Sequence, residues 1–186
     1  MVDEQDERYD LFQEIEKWKN LIQNNPEIIE LAFFKIFVKF ENLYTKMIPE
    51  YAIGNSSKLG KHEKLKMQFS DYDHLKKMTN VSYFEINSRM KIIVEQIFEK
   101  DNCFELIQQD SEWSFFQDCK YLRNFIAHES DEAKREYISH SLHHKDFLEP
   151  KDYLLKKNRQ KGGQSNYDRF VKMIKNFATV LVEEQE

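Results

Sequence analysis

"PEIIELAFFKIFVKFENLYTKMI", residues Pro26 to Ile48, decides the fold. It holds no glycine, and its single proline stands at the front, where a first helical turn tolerates a missing N–H. Asn25 before it suits a helix cap. Leu31, Phe34, Val38 and their neighbours make the segment apolar around most of a helical circumference. The reading is one long helix over about 26–48 that stops before Pro49 and sits in the middle of a bundle or inside a dimer.

Working outward, the same period recurs. Leu11, Ile15, Trp18 and Ile22 mark one face of a helix over about 4–23. "SYFE" reads as a capping box, Ser82 with Glu85, opening a helix whose stripe is Ile86, Met90, Ile93 and Ile97. Asp110 or Ser111 caps the next, which buries Phe115, Cys119, Leu122 and Ile126. A short helix is expected over 131–141, and another near 62–78. A last helix starts at Ser165 and buries Phe170, Ile174, Ala178 and Leu181. With 4 glycines and 3 prolines in 186 residues, tight turns are scarce, which argues against a many-stranded fold. The expectation is an all-α protein: a single helical bundle of four to five main helices spanning 1–186. Within it, 1–24 is an additional N-terminal helix and 50–79 an irregular basic connection.

The composition narrows the function classes. No apolar run is long enough to span a bilayer, and the acidic start "MVDEQDERYD" is no secretory signal, so the expected location is the cytoplasm and no membrane is expected as a partner. Cys103 and Cys119 lack metal-ligand spacing and read as free thiols. The net charge of −5 is unevenly spread. Lys58, Lys61, Lys64 and Lys66 form one basic cluster; Lys151, Lys156, Lys157, Arg159 and Lys161 form another. Either is a solvated run or a clamp for a phosphate backbone. There is no P-loop, no nucleophile elbow and no H-E-x-x-H. In "HSLHH", His140 and His144 would be i, i+4 neighbours on a helix, but no complementary carboxylate or cysteine follows, so an exposed turn is expected and no metal.

One stretch carries more chemistry than packing needs. In "CKYLRNFIAHES", Cys119 to Ser130, the core face takes Cys119, Leu122 and Ile126, while Lys120, Asn124 and His128 point away. Asn124 and His128 are one turn apart, and Arg123 stands at the border of the apolar face. Histidine moves protons near neutral pH, and arginine forks onto phosphate oxygens. The plainer reading is a helix end, with His128 on the negative end of the dipole and Ser130 capping the next helix.

"RNFIAH" resembles the R-N-x-x-x-H signature of the HEPN superfamily, and "YLRNFIAHES" is similar to the form prokaryotic members carry. The resemblance implies an all-α bundle with the motif on a late helix. It further implies a metal-independent endoribonuclease of a toxin–antitoxin or anti-phage defence system, acting as a homodimer with both motifs in one cleft. Arg123, Asn124 and His128 would be catalytic. RNA supplies its own 2′-hydroxyl nucleophile, so no cofactor is implied, and the products would be a 2′,3′-cyclic phosphate and a 5′-hydroxyl. Lys120, Lys156, Lys157, Arg159 and Lys161 would hold the RNA. A cognate antitoxin is an expected partner. Ser130 stands where members regulated by AMP transfer have a tyrosine, so that regulation is not expected. The alternative is a non-catalytic helical module that binds nucleotide or a protein partner, such as an antitoxin-like subunit.

Overall fold

The long apolar segment is helical and leads to the rest. The structure, a computed structural model, describes residues 3–81, 83–158 (the backbone alone at 158) and 162–184. Among these it is all-α: α1 Tyr9–Asn24, α2 Ile29–Ala52, α3 Tyr72–Thr79, α4 Ser88–Ile97, α5 Cys103–Gln109, α6 Trp113–His128, α7 Asp131–His140, α8 Pro150–Leu155 and α9 Asn166–Val182. A short antiparallel ladder pairs β1 (Lys157–Asn158) with β2 (Gln164–Ser165). No helix of the described residues is long and apolar enough to cross a membrane.

The chain divides into two compact units. The first comprises residues 1–11, 39–110 and 176–186; the second comprises 12–38 and 111–175. Each has its own aromatic core. In the first, Tyr44 and Tyr51 meet Phe104 edge-on, and Phe98 lies 5.3 Å from it. The Tyr51 hydroxyl donates to the Leu181 carbonyl at 2.5 Å. In the second, Phe37 stacks on Phe116 at 5.3 Å, and Phe33 packs on Phe170 at 4.6 Å. Rings of this size bury large apolar areas and give most of the packing energy.

Several sequence expectations need correction. The helix expected to stop at Ile48 runs on through Pro49 to Ala52. Pro49 removes one helical hydrogen bond, but Ile48, Tyr51 and Ala52 are fully buried in that turn, and their burial outweighs the loss. Leu31 is 47% exposed rather than core; Ala32, Phe33, Ile36, Phe37 and Phe40 make the buried face of α2. Ser82 lies outside the described residues. The helix after it begins at Ser88, where the Asn87 side chain accepts from the Met90 N–H at 2.9 Å. The helix expected near 62–78 is confined to α3. α1 starts at Tyr9, not residue 4, because Asp6 turns back to accept from the Arg8 N–H at 2.8 Å.

Of the connection expected to be irregular over 50–79, only 53–71 lies outside α2 and α3, and its lysines are not all wet. Lys61 is buried and pairs at 3.5 Å with Glu63, whose side chain is 8% exposed. Glu63 also accepts from the Cys103 N–H at 3.0 Å. Cys103 and Cys119 are free and buried.

Candidate functional site

In the second unit, α6 carries the motif and α7 fixes its back. The two helices form a hairpin with three layers of contact. Ser141 Oγ donates to the Asp118 carbonyl at 2.6 Å, Tyr121 stacks on His140 at 3.9 Å, and Phe125 stacks on Tyr137 at 5.4 Å. The joint is "HES". His128 ends α6, Glu129 takes a left-handed conformation (φ 47°), and Ser130 Oγ accepts from the Ala133 N–H at 3.2 Å to cap α7. The helix-end reading of these three residues is therefore how the backbone is built. It also explains why a serine occupies the position.

Arg123, Asn124 and His128 lie in the last two turns of α6. Arg123 is half-buried, its guanidinium 5.5 Å from the Phe37 ring centre, and its Nη1 donates to Asn124 Oδ1 at 2.9 Å. Asn124 is half-buried and His128 is exposed. The aromatic contact and the amide thus hold the guanidinium from two sides, while the imidazole stands free of the core one turn on. Of the expected core face, Phe115, Cys119 and Leu122 are buried, Ile126 is only half-buried, and Phe116 joins them. α6 begins at Trp113 without a side-chain cap at Glu112. That carboxylate instead pairs with Arg169 at 2.5 Å, and the Arg169 guanidinium sits 3.8 Å over Phe115.

The basic residues expected around the motif separate. Lys120 is on α6 and half-buried. Lys156 and Lys157 are exposed and line a different cleft of the same unit, about 350 Å³, that contains Phe115 and Asp118 of α6. On an ideal helix Asp118 and His128 are about 15 Å apart along the axis. Arg159 and Lys161 lie outside the described residues. Lys151, of the same charge run, is taken up by the fold. Its N–H donates to Glu30 Oε1 at 2.9 Å and its ammonium pairs with Glu27.

The histidines of "HSLHH" also part company. α7 ends at His140, so His140 and His144 share no helical face. His140 Nε2 lies 3.2 Å from Glu136, His143 Nε2 lies 3.7 Å from Asp118 Oδ2, and His144 is 3.5 Å from Ser139 Oγ. Among the described residues, no three of His, Cys, Asp or Glu come together as metal ligands. Burial pushes the Asp118 carboxyl above the usual carboxylate range, against the opposing charges of His143, His140 and Arg169. Sequence reasoning missed Asp118. It sits among apolar helix residues with no local signal, and only the return of α7 and the segment after it gives it surroundings.

The fold defines the class, an all-α protein. No family model, curated protein or solved structure matches the chain.

Proposed function

We propose that the protein is a HEPN-type, metal-independent endoribonuclease of a prokaryotic toxin–antitoxin or anti-phage defence system. One observation carries the reading: the R-N-x-x-x-H residues occupy the end of a helix with the arginine hydrogen-bonded to Asn124 and the histidine exposed. In this reading Arg123 holds a phosphate oxygen and stabilises the charge that develops on the phosphorane. Asn124 fixes the guanidinium. His128 takes the proton of the attacking 2′-hydroxyl. The O5′–P bond breaks as the O2′–P bond forms, and the departing O5′ needs a proton from another group. The His128 of a second copy would supply it, which is why a symmetric dimer fits this chemistry. A cognate antitoxin would mask the same surface.

The second reading is a non-catalytic helical module that binds nucleotide or a protein partner. The half-burial of Arg123 against Phe37 favours it, because such a side chain also has a packing role. One assay decides. Total RNA is incubated in excess chelator with the protein, with His128→Ala and with Arg123→Ala. Cleavage that survives the chelator and is lost in both variants, with 2′,3′-cyclic ends on the products, supports the nuclease. Equal background in all three overturns it in favour of the module.

A further inference from the structure

We propose that the cleft between α6, the segment after α7, and the β1 region is a binding site for a phosphomonoester, separate from the R-N-x-x-x-H residues. The cleft lies wholly within the second unit and measures about 350 Å³. That is in the range of small-molecule sites, roughly 300–1,000 Å³, and well above what a bare oxyanion fills.

Its charges do not cancel. Asp118 faces His143 at 3.7 Å, and Arg169 is paired with Glu112 at 2.5 Å. With Arg169 set aside on Glu112, Lys145, Lys156 and Lys157 face Asp118 and Asp146, a net single positive charge that rises to two when His143 is protonated. None of the three lysines has a carboxylate within ion-pair distance among the described residues, and all three are exposed. Three ammonium groups in one lining, none with a carboxylate partner of its own among the described residues, suit a dianion. A terminal phosphomonoester is one near neutral pH, whereas each internal phosphodiester of a nucleic acid carries a single charge.

The remaining lining says what the phosphate is attached to. Phe115, Leu142 and Tyr153 contribute apolar edges, each less than a tenth exposed. Asn166, the first residue of α9, lies in the lining, and its N–H donates to the Lys156 carbonyl at 3.1 Å, which ties the start of α9 to the lysine rim. The Asn166 amide is already fixed by donating to the Tyr153 carbonyl at 2.9 Å. The cleft therefore offers exposed ammonium donors at its rim, a fixed amide, and apolar edges from Phe115, Leu142 and Tyr153. Two sources present that chemistry: a free small phosphomonoester and the 5′-phosphorylated end of an RNA strand.

The inference does not depend on RNA cleavage, and its test uses none. The whole protein is titrated with phenyl phosphate and with inorganic phosphate by calorimetry. Two uncleavable 2′-O-methyl oligonucleotides are compared, one with a 5′-phosphate and one with a 5′-hydroxyl. Phenyl phosphate should bind more tightly than inorganic phosphate. Each of Lys156→Ala and Lys157→Ala should weaken it about tenfold, as the loss of one charge-assisted hydrogen bond does. Lys172→Ala, an exposed lysine of α9 outside the cleft, should leave it unchanged. A 5′-phosphate that adds affinity, lost in the same variants, identifies the RNA end as the source. Phenyl phosphate binding without that gain identifies a free small molecule. No binding of phenyl phosphate, or equal binding in the Lys156→Ala/Lys157→Ala double variant with its helical circular dichroism intact, overturns the proposal.

Discussion

Residues 58–66 of the first unit and residues 145–157 of the other are both rich in lysine, yet the fold takes up the side chains of two lysines in the first, one of them buried, and of one in the other. In the first, Lys61 is buried on Glu63, and Lys66 donates from Nζ to the Glu95 carbonyl at 2.8 Å. Ser57 Oγ reaches the Val182 carbonyl at 2.7 Å, and the Lys58 N–H donates to Glu7 Oε1 at 2.8 Å. In the other run, Lys151 alone is taken up, while Lys145, Lys156 and Lys157 stand at a cleft without carboxylate partners among the described residues. A charge run therefore says little until its counter-charges are placed. The lysines that keep no partner are the ones free to meet a ligand.

The largest expected effect breaks the comparison at its buried end. Glu63→Ala strands the Lys61 ammonium and the Cys103 N–H in a site with little water. Removing one partner of a buried pair leaves a charge without compensation, so unfolding in urea should show a loss of about 3 kcal/mol. Lys61→Met combined with Glu63→Leu should recover most of it. A loss in Glu63→Ala no greater than that of a surface substitution would erase the contrast between the two runs.

Two aspartates sharpen the same contrast through pH. Asp6 is buried, which by itself would raise its pKa, but hydrogen bonds and charge from Arg8 outweigh burial and hold the carboxyl below the usual range. Arg8 in turn reaches Glu183 at 2.5 Å. A depressed folded pKa means that the unfolded chain takes up the proton first. The stabilisation is thus complete above the ordinary aspartate pKa of about 4 and is lost as pH falls through the lower folded value. Asp6→Asn should lower stability at pH 7 and flatten the acid limb of the stability profile. Asp118 has the opposite sign: with its pKa raised by burial, stability falls as pH rises from the ordinary to the folded value. Asp118→Asn should therefore be neutral or stabilising at pH 7. Thermal unfolding across pH 3–8 checks both.

What was legible in the sequence follows the range of the forces involved. The apolar periods of α4, α6 and α9 are local, and each buries its expected stripe, with Ile126 only half-buried at the end of α6. Ser165 also marks the last helix as expected, since its Oγ accepts from the Asp168 N–H at 3.0 Å. α5 was missed although its signal is local: Asn102 accepts from the Glu105 N–H at 3.0 Å, and Glu105 reaches back to the Asp101 N–H at 3.0 Å. That reciprocal cap is written as "DNCFE". α8, opened by Pro150 in its first turn, left a similar trace. The cleft beside Asp118 had no such trace, because its sides come from residues 115–118, 141–148, 153–157 and 166–169, brought together only by tertiary packing. The motif at 123–128 was legible as a pattern. That Glu129 would turn left-handed and free Ser130 to cap α7 was one of two readings the residues allowed.

At that joint the structural and chemical roles sit two residues apart. Ser130→Ala removes the cap of α7 and should cost about 1 kcal/mol. Ser130→Asp, also a good cap, should restore it. Both substitutions leave His128 in the last turn of α6, so the nuclease assay with Ser130→Asp also separates a folding defect from a chemical one.

The smallest effects belong to the open run. Lys145→Ala, Lys156→Ala and Lys157→Ala each remove an exposed side chain with no ion-pair partner among the described residues, and each should change stability by less than about 0.5 kcal/mol. Measured beside Glu63→Ala in the same urea titration, they set the other end of the scale. If one of them destabilises the protein as much as the buried pair does, that lysine is structural and the cleft loses a charge it needs. If all three are silent in folding, their positive charge is left for binding. A group that does not hold the chain together, yet is gathered with two like charges around one cavity, repels its neighbours until an anion arrives, and that repulsion is what phenyl phosphate would relieve.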